Sequence, residues 1–225
     1  MTQHSAGSDQ LLETVELEPQ GDAAGTVIWL HGLGADANDF EPIVPMLTLN
    51  QPLRFVFPNA PVRPVTINAG MEMRAWYDID PGSPLSGSDD IAESAAQIQA
   101  LVEREHSRGM AASQITLAGF SQGGVIALHL GLRCQQRLAG LMALSTYVHN
   151  PESLAQEVSF ASVDVPIFMA HGVADPMIPI ARAVTARETL IGLNYQVEWH
   201  EYQMGHQVCP EEIRDLEAWL NRIYP

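Results

Sequence analysis

The sequence predicts an α/β fold in which a mostly parallel sheet carries helices on both faces. The main observation is a set of continuous apolar runs rich in branched residues, at residues 26–30, 115–120, 138–145 and 165–170. Such runs are typical of parallel strands covered on both faces. Segments with helical spacing of apolar residues lie between them. Repeated strand, helix and strand units build a parallel sheet through right-handed crossovers.

The length of the chain fits one domain of this class. Its 225 residues are 46% hydrophobic and 17% charged, which is ordinary globular composition with enough apolar surface to cover both faces of a sheet. We therefore predict a single α/β domain over residues 1–225. Residues 1–10 are polar and are expected to form a flexible N-terminal tail.

The first elements follow from local patterns. Residues 11–17 alternate apolar and acidic side chains, which indicates a half-buried edge strand. Apolar residues recur at helical spacing between residues 91 and 102, and Asp90 with Glu93 can form a capping box at the start of this helix. Residues 58–70, rich in Pro and small polar residues, predict an irregular loop at the rim.

The remaining segments complete the pattern. Residues 78–88 predict a second rim loop, residues 195–202 a late strand and residues 210–224 a closing helix. In an open α/β sheet, ligands bind beyond the carboxyl ends of the strands. Functional side chains are therefore expected in the segments that follow each strand.

The charge balance restricts the partners. The formal net charge of −16 repels phosphate backbones and anionic lipid headgroups, so neither nucleic acid binding nor stable membrane insertion is expected, and a neutral or cationic small molecule fits better. No apolar run approaches the length of a spanning helix, and the first residues lack the pattern of a secretory signal, so we expect a cytoplasmic protein. Cys134 and Cys209 are expected to stay reduced.

Residues 119–123 form the motif with the clearest chemistry. They read Gly-Phe-Ser-Gln-Gly, a G-x-S-x-G pattern between a predicted strand and a predicted helix. This is the context of a nucleophile elbow, where glycines such as Gly119 and Gly123 let strand and helix approach closely. The alternative is a glycine-rich turn whose serine caps a helix. The flanking elements favour Ser121 as a nucleophile, as in the α/β-hydrolase fold.

A serine nucleophile needs a general base, and histidine is the usual one. In the α/β-hydrolase chain order, an acid and then the histidine follow the serine. Only His200 and His206, of eight histidines, come late enough. His200 lies within a predicted strand, where a packed or solvated side chain is expected. His206 follows Gly205 in the loop before the last helix, so we predict His206 as the base.

The acid that orients the histidine is sought in the same way. Asp164 precedes the strand at residues 165–170 and lies at its amino end. Asp175 follows that strand, in a loop that Pro176 and Pro179 restrain. A turn aspartate before proline is common. Its position at the carboxyl end of the strand nevertheless favours Asp175 as the catalytic acid.

The oxyanion hole is predicted from the loop after residues 26–30. That loop reads His31-Gly32-Leu33-Gly34, which is similar to the HG loop of esterases. The backbone N–H groups of Leu33 and of Gln122, the residue after the nucleophile, are the predicted donors. His31 is expected to order the loop.

A cluster of methionine and aromatic residues follows the first rim loop. Such a cluster is more often core than site. Because this one follows an irregular rim segment, we predict a substrate-binding acyl wall made of Ile67, Met71, Met73, Trp76 and Tyr77.

Together these residues resemble the phospholipase/carboxylesterase family of the α/β-hydrolase superfamily, which includes bacterial carboxylesterases and acyl-protein thioesterases. The similarity covers about residues 26–224. It rests on six blocks in order: TVIWLHGLGADANDF, RFVFPNAPVRPVTIN, MRAWYDI, LAGFSQGGVIALH, HGVADPMIP and YQMGHQVCPEEI. The bacterial carboxylesterase branch fits best.

The resemblance implies an α/β-hydrolase without a large cap domain, acting on carboxylic esters or thioesters with no cofactor and no metal. It assigns the nucleophile to Ser121, the acid to Asp175, the base to His206 and the oxyanion donors to Leu33 and Gln122. Relatives often pair through a surface near the active site, so a homodimer is an expectation. Many members carry Pro and a small residue where this chain has Arg74-Ala75 before Trp76, which leaves acyl selectivity open.

Three functions follow from these observations. The first is a serine carboxylesterase that hydrolyses short to medium acyl esters through an acyl-enzyme intermediate. The second is a lysophospholipase or acyl-protein thioesterase on long-chain substrates, against which the acidic surface argues mildly. The third is a non-catalytic protein that only holds a hydrophobic ligand, against which the intact set of catalytic residue types argues.

Overall fold

Seven strands of this chain form one sheet. The structure is a computed structural model and describes residues 11–83 and 85–225. The strands are β1 (Thr14–Leu17), β2 (Gly25–Leu30), β3 (Leu53–Pro58), β4 (Val62–Val65), β5 (Met71–Arg74), β6 (Ile115–Phe120), β7 (Gly140–Leu144), β8 (Ile167–Gly172) and β9 (Val197–Tyr202). The helices are α1 (Ser88–Ser107), α2 (Gln122–Arg133), α3 (Pro151–Glu157), α4 (Ile180–Gly192) and α5 (Pro210–Ile223). The predicted tail at residues 1–10 lies outside the described residues.

The sheet is parallel except at one edge. Its strand order is β1-β3-β2-β6-β7-β8-β9, and β1 pairs antiparallel with β3 while every other pair in this sheet is parallel. The predicted mostly parallel sheet is confirmed. The edge strand is confirmed as well, beginning at Thr14. β3 was not predicted, although five of its six residues are buried.

Side chains from the strands alternate between two apolar layers. In β2, Ile28 and Leu30 enter a layer with α1, α2 and α4, whereas Val27 and Trp29 enter a layer with α5. Every residue of β2 is buried because helices cover both faces of the sheet. Helices on both faces are thus confirmed.

The prediction of an irregular loop at residues 58–70 is wrong, because residues 62–74 form a β-hairpin. β4 and β5 pair antiparallel, with Val65 opposite Met71, and a short 3-10 turn, Thr66–Asn68, joins them. Ala69 (φ 56°) and Gly70 (φ 76°) close this turn in the left-handed region. Pro64 is tolerated because this two-stranded sheet consists only of edge strands.

The predicted capping box of Asp90 and Glu93 is also wrong. Gly87 stands at the N-cap of α1, and no side chain caps it. The Asp90 carboxylate instead accepts a hydrogen bond from Asp78 N–H (2.9 Å) and pairs with Arg63 (2.6 Å), so tertiary contacts take the carboxylate away from its own helix.

Two simpler findings concern the described residues. Cys134 and Cys209 are both free thiols. Across residues 11–83 and 85–225, no helix is long and apolar enough to cross a membrane.

Candidate active site

Ser121 lies in a strained backbone between β6 and α2. Its φ of 54° and ψ of −118° fall outside the usual regions for a residue with a side chain, a conformation that costs about 1–3 kcal/mol and clusters at functional sites. A Cβ atom on Gly119 would lie 2.3 Å from the backbone of Gly123, and one on Gly123 would lie 2.6 Å from the Leu30 and His31 carbonyl oxygens. Only glycine fits at both positions, so the backbone has the shape expected of a nucleophile elbow.

His206 lies beside this serine. Its Nε2 atom is 2.9 Å from Ser121 Oγ, and its ring packs against Phe120 with centroids 4.7 Å apart. The loop that carries His206 runs close to the end of β8, since a Cβ atom on Gly172 would lie 2.3 Å from the Gly205 carbonyl oxygen. His200, the alternative, lies in β9 and contacts Glu198 and Phe168 instead.

Asp175 completes a chain of hydrogen bonds. Its Oδ2 atom lies 2.7 Å from Nδ1 of His206, while Oδ1 accepts hydrogen bonds from the N–H groups of Met177 (2.8 Å) and Ile178 (2.9 Å). Burial by itself raises the pKa of this carboxyl, but hydrogen bonds from Ile178, His206 and Met177 outweigh it and hold the pKa below its ordinary value. A carboxylate that stays ionised keeps the imidazole proton on Nδ1, which leaves Nε2 to accept a proton from the serine.

His171 supports the loop that presents Asp175. It is fully buried, and its Nε2 atom lies 2.9 Å from the Ile178 carbonyl oxygen and 3.5 Å from Asp175 Oδ2. His171 comes too early in the chain order to be the predicted base, and no other site role was predicted for it. Its position directly after the predicted strand at residues 165–170, four residues before Asp175, was the available signal.

The loop after β2 faces Ser121. A Cβ atom on Gly32 would lie 3.5 Å from Ser121 Cβ. The backbone N–H groups of Leu33 and Gln122, both of which line the cavity that contains Ser121, have no acceptor among the described residues. Two unpaired N–H groups beside a serine can stabilise an oxyanion.

His31 orders this loop, as expected from the sequence. Its Nδ1 atom lies 2.7 Å from the Gly32 carbonyl oxygen, and its Nε2 atom accepts a hydrogen bond from Ala60 N–H (3.1 Å). Burial lowers the pKa of His31 and keeps the ring neutral. The ring therefore holds the loop with both nitrogens and has none free for proton transfer.

A cavity of about 470 Å³ opens at Ser121. Ile67, Met73 and Tyr77 line it, as the sequence predicted, but Met71 and Trp76 do not. Met71 is 64% exposed beyond the cavity, whereas Trp76 is fully buried and donates from its indole N–H to the His31 carbonyl oxygen (2.9 Å). Trp76 thus supports the HG loop, which corrects the predicted acyl wall.

Other elements supply the rest of the cavity. The additional lining residues include Asp39, Asn68, Ile79, Phe120, Tyr147, Met177, Ile178 and Arg182. Tyr147 follows β7, and the last three follow β8, so their place after the carboxyl end of a strand was the signal that could have found them.

The Gln122 side chain joins the serine region to the cavity wall. Its oxygen accepts from Trp76 N–H (2.8 Å), and its amide nitrogen donates to the Tyr77 carbonyl oxygen (2.6 Å). Within the described parts of the chain, no cluster of three or more His, Cys, Asp or Glu side chains is placed to hold a metal ion.

The chain is similar to known proteins along almost its whole length. A model of the family described as phospholipase/carboxylesterase matches residues 13–224. An acyl-protein thioesterase 1 from Mycosarcoma maydis is 36% identical over an alignment of 236 positions, which covers 96% of this chain and 98% of that protein. An acyl-protein thioesterase 1 from Gibberella zeae is 35% identical over 213 residues, with 89% and 91% covered.

Solved structures show the same fold. Arabidopsis thaliana SOBER1 has a TM-score of 0.83 at 28% identity, covering 89% of this chain and 99% of that one. Esterase PE8 has a TM-score of 0.82 at 26% identity, with 95% and 100% covered.

Proposed function

The chain belongs to the phospholipase/carboxylesterase family of hydrolases, and from that premise we propose that it is a serine carboxylesterase which hydrolyses short to medium acyl esters through an acyl-enzyme intermediate. One observation carries the proposal. A continuous chain of hydrogen bonds links Ser121 Oγ to His206 Nε2 (2.9 Å) and His206 Nδ1 to Asp175 Oδ2 (2.7 Å).

In the first half of the reaction, His206 takes the proton from Ser121 as the serine oxygen attacks the carbonyl carbon. Asp175 keeps the neutral imidazole in the required tautomer and stabilises the imidazolium that forms. The tetrahedral oxyanion accepts hydrogen bonds from the Leu33 and Gln122 N–H groups, each of which contributes about 3–4 kcal/mol to lowering the barrier. His206 then protonates the leaving alcohol or thiol, and an acyl-serine remains.

In the second half, water replaces the leaving group. His206 takes a proton from the water as its oxygen attacks the acyl carbon. The oxyanion forms again at the same two N–H groups, and collapse of this intermediate returns the proton to Ser121 and releases the carboxylic acid.

A specific observation favours a second candidate, a long-chain thioesterase. The relatives in Mycosarcoma maydis and Gibberella zeae are named acyl-protein thioesterase 1, and their alignments cover at least 89% of this chain. The same catalytic groups can cleave a thioester, so only the substrate differs. Paired oxygen and sulfur esters of equal acyl length, measured across an acyl-length series, separate the two candidates: a maximum at long thioesters favours the thioesterase.

The catalytic proposal is tested with Ser121→Ala and, as a control, Ser113→Ala, which changes an exposed serine of the same chain. We expect Ser121→Ala to lower kcat on a p-nitrophenyl ester by about 10⁴-fold or more, because the nucleophile is lost. We also expect a fluorophosphonate probe to label the wild type and Ser113→Ala but not Ser121→Ala. Undiminished turnover in folded Ser121→Ala would reject the proposal. An unlabelled wild type would favour the non-catalytic ligand-binding function.

Two further expectations accompany the proposal. The homodimer and the cytoplasmic location remain predictions from the sequence. Light scattering on the purified chain measures the first, and cell fractionation measures the second.

A further inference from the structure

Arg182 lies in the cavity that contains Ser121. It belongs to the first turn of α4, and its guanidinium carbon is 3.5 Å from the centroid of the Tyr147 ring. The Tyr147 hydroxyl lies 3.0 Å from the Tyr77 hydroxyl, which fixes the ring on which the cation rests. Stacking on an aromatic face holds a guanidinium in place and leaves its N–H groups free to bind an anion.

Arg182 differs from most other arginines of the chain. Arginines such as Arg54, Arg63 and Arg133 have a carboxylate oxygen within 4 Å, and Arg137 donates to two backbone carbonyl groups. Arg182 has no ion pair and no side-chain hydrogen bond with any described residue. A chain with a net charge of −16 therefore keeps one guanidinium without a carboxylate partner in the candidate active-site cavity.

Nearby carboxylates are engaged elsewhere. Asp78 and Asp80 line an adjoining groove together with Arg182. The two oxygens of Asp78 bind the N–H and hydroxyl groups of Thr66, both at 2.7 Å, and Asp80 accepts from Gly82 N–H (2.8 Å). Burial lowers the pKa of the nearby His149 imidazole, and the Arg182 cation lowers it further. Asp39 lines the same cavity as Arg182, but the two form no ion pair in the described part of the chain, so an added anion would not have to displace a bound carboxylate.

Helix stability does not explain a cation at this position. The N-terminal end of a helix carries partial positive charge, so an arginine in the first turn of α4 is electrostatically unfavourable for the helix. Ile178, just before the helix, and Arg182, in its first turn, both line the cavity, so the start of α4 lies at the cavity wall.

We propose that Arg182 selects substrates whose acyl chain ends in an anionic group, a carboxylate or a phosphate, remote from the bond that is cleaved. The inference rests on the proposed esterase function and names its substrate class. Apolar residues such as Ile79 and Ile178 line the cavity along with Ser121 and Arg182, so they can contact the methylene groups of such a chain. The guanidinium binds the terminal anion with two parallel N–H groups. The net charge alone predicts a preference for neutral or cationic substrates. The positive charge of Arg182 reverses this preference inside the cavity.

The test compares two esters of equal chain length, p-nitrophenyl hexanoate and the mono-p-nitrophenyl ester of adipic acid, after subtraction of spontaneous hydrolysis. The quantity measured is the ratio of kcat/KM for the anionic ester to kcat/KM for the neutral one. We expect Arg182→Met to lower this ratio about tenfold, and Arg182→Lys to retain part of it. Arg187→Met is the matched control, because Arg187 lies on the same helix but packs on Trp199. Its ratio should equal that of the wild type.

Two further readouts sharpen the test. Added NaCl should lower the ratio for the wild type, since salt screens an exposed charge. For Arg182→Met salt should not lower the ratio, because only the repulsion between the anionic ester and the net negative charge is left to be screened. Free adipate and inorganic phosphate, tested as inhibitors of hexanoate hydrolysis, show which anion Arg182 prefers.

The inference is overturned if Arg182→Met leaves the ratio unchanged. Equal losses of kcat/KM for both esters would mean that Arg182 only supports Tyr147. A wild type that fails to hydrolyse the neutral ester would instead reject the proposed function itself.

Discussion

The Oδ2 atom of Asp175 lies 2.7 Å from Nδ1 of His206, while the other oxygen of the same carboxylate receives two backbone N–H groups. The carboxylate is therefore held at both oxygens, and its position does not depend on the imidazole alone. This arrangement places the proton of a neutral His206 on Nδ1 and directs Nε2 to Ser121.

Asp175→Asn tests this relationship. The amide oxygen can still accept from Met177 and Ile178, which turns the NH₂ group toward His206 and forces Nδ1 to act as an acceptor. The imidazole proton then lies on Nε2 and faces the serine, so we expect kcat to fall about 10³- to 10⁴-fold. Circular dichroism should show an unchanged fold. The control is Asp164→Asn, because Asp164 precedes β8 whereas Asp175 follows it. Activity of Asp175→Asn within tenfold of wild type would contradict the assignment of Asp175.

The corrected cavity wall leads to a second prediction. Met73 lines the cavity, whereas Met71, two residues earlier on the same strand, is 64% exposed outside it. Met73→Phe reduces the space for the acyl chain, so kcat/KM for octanoate relative to acetate esters should fall about tenfold. Met71→Phe should leave the ratio unchanged. Equal changes in both variants would argue against Met73 as an acyl contact.

A buried carboxylate, Glu105, holds the edge of the sheet. It is fully buried and contacts the guanidinium groups of Arg54 (2.8 Å), Arg104 (3.0 Å) and Arg108 (3.0 Å). Glu105→Gln leaves three cations around a neutral amide, so the free energy of unfolding should fall by about 2–4 kcal/mol in urea titrations. Because the group is buried, most of this loss should persist at high salt. A loss no larger than that of the exposed Glu103→Gln control would refute this account.

Glu212 predicts a pH dependence of stability. It is fully buried in α5, and this burial outweighs a backbone hydrogen bond from Cys209 and raises its pKa to about 8. The folded protein keeps this proton up to about pH 8, whereas the unfolded chain releases it above the ordinary value near 4.5. The stabilisation that this group contributes is thus complete below pH 4.5, and it falls as the pH rises from 4.5 to about 8.

Glu212→Gln removes this release of a proton on unfolding. Relative to wild type, its unfolding free energy should rise between about pH 5 and pH 8, with a slope of up to about 1.4 kcal/mol per pH unit. Other titrating groups are common to both proteins and cancel in the difference. Glu211→Gln, in the same helical turn but exposed, should show a difference independent of pH. A flat difference for Glu212→Gln as well would show that Glu212 is ionised in the folded state.

Local sequence determined much of the fold. Runs of branched apolar residues predicted four parallel strands, and spacing predicted α1 and α5, because burial on two faces or on one leaves a periodic record along the chain. Placement after strands also directed the sequence analysis to Ser121, Asp175 and His206, which the structure brings within hydrogen-bond distance.

Only the tertiary structure decided how these elements combine. It places β3 between β1 and β2, draws Asp90 from its own helix to Asp78 and Arg63, and buries Trp76 while leaving Met73 in the cavity. It also brings Tyr147 and Arg182 together from separate segments. A sequence pattern reports how deeply a side chain is buried, but its neighbours depend on strand order and crossovers, which join residues far apart along the chain. The residues of the candidate site were therefore readable from the sequence, whereas the shape and charge of the cavity came from the packing of the folded chain.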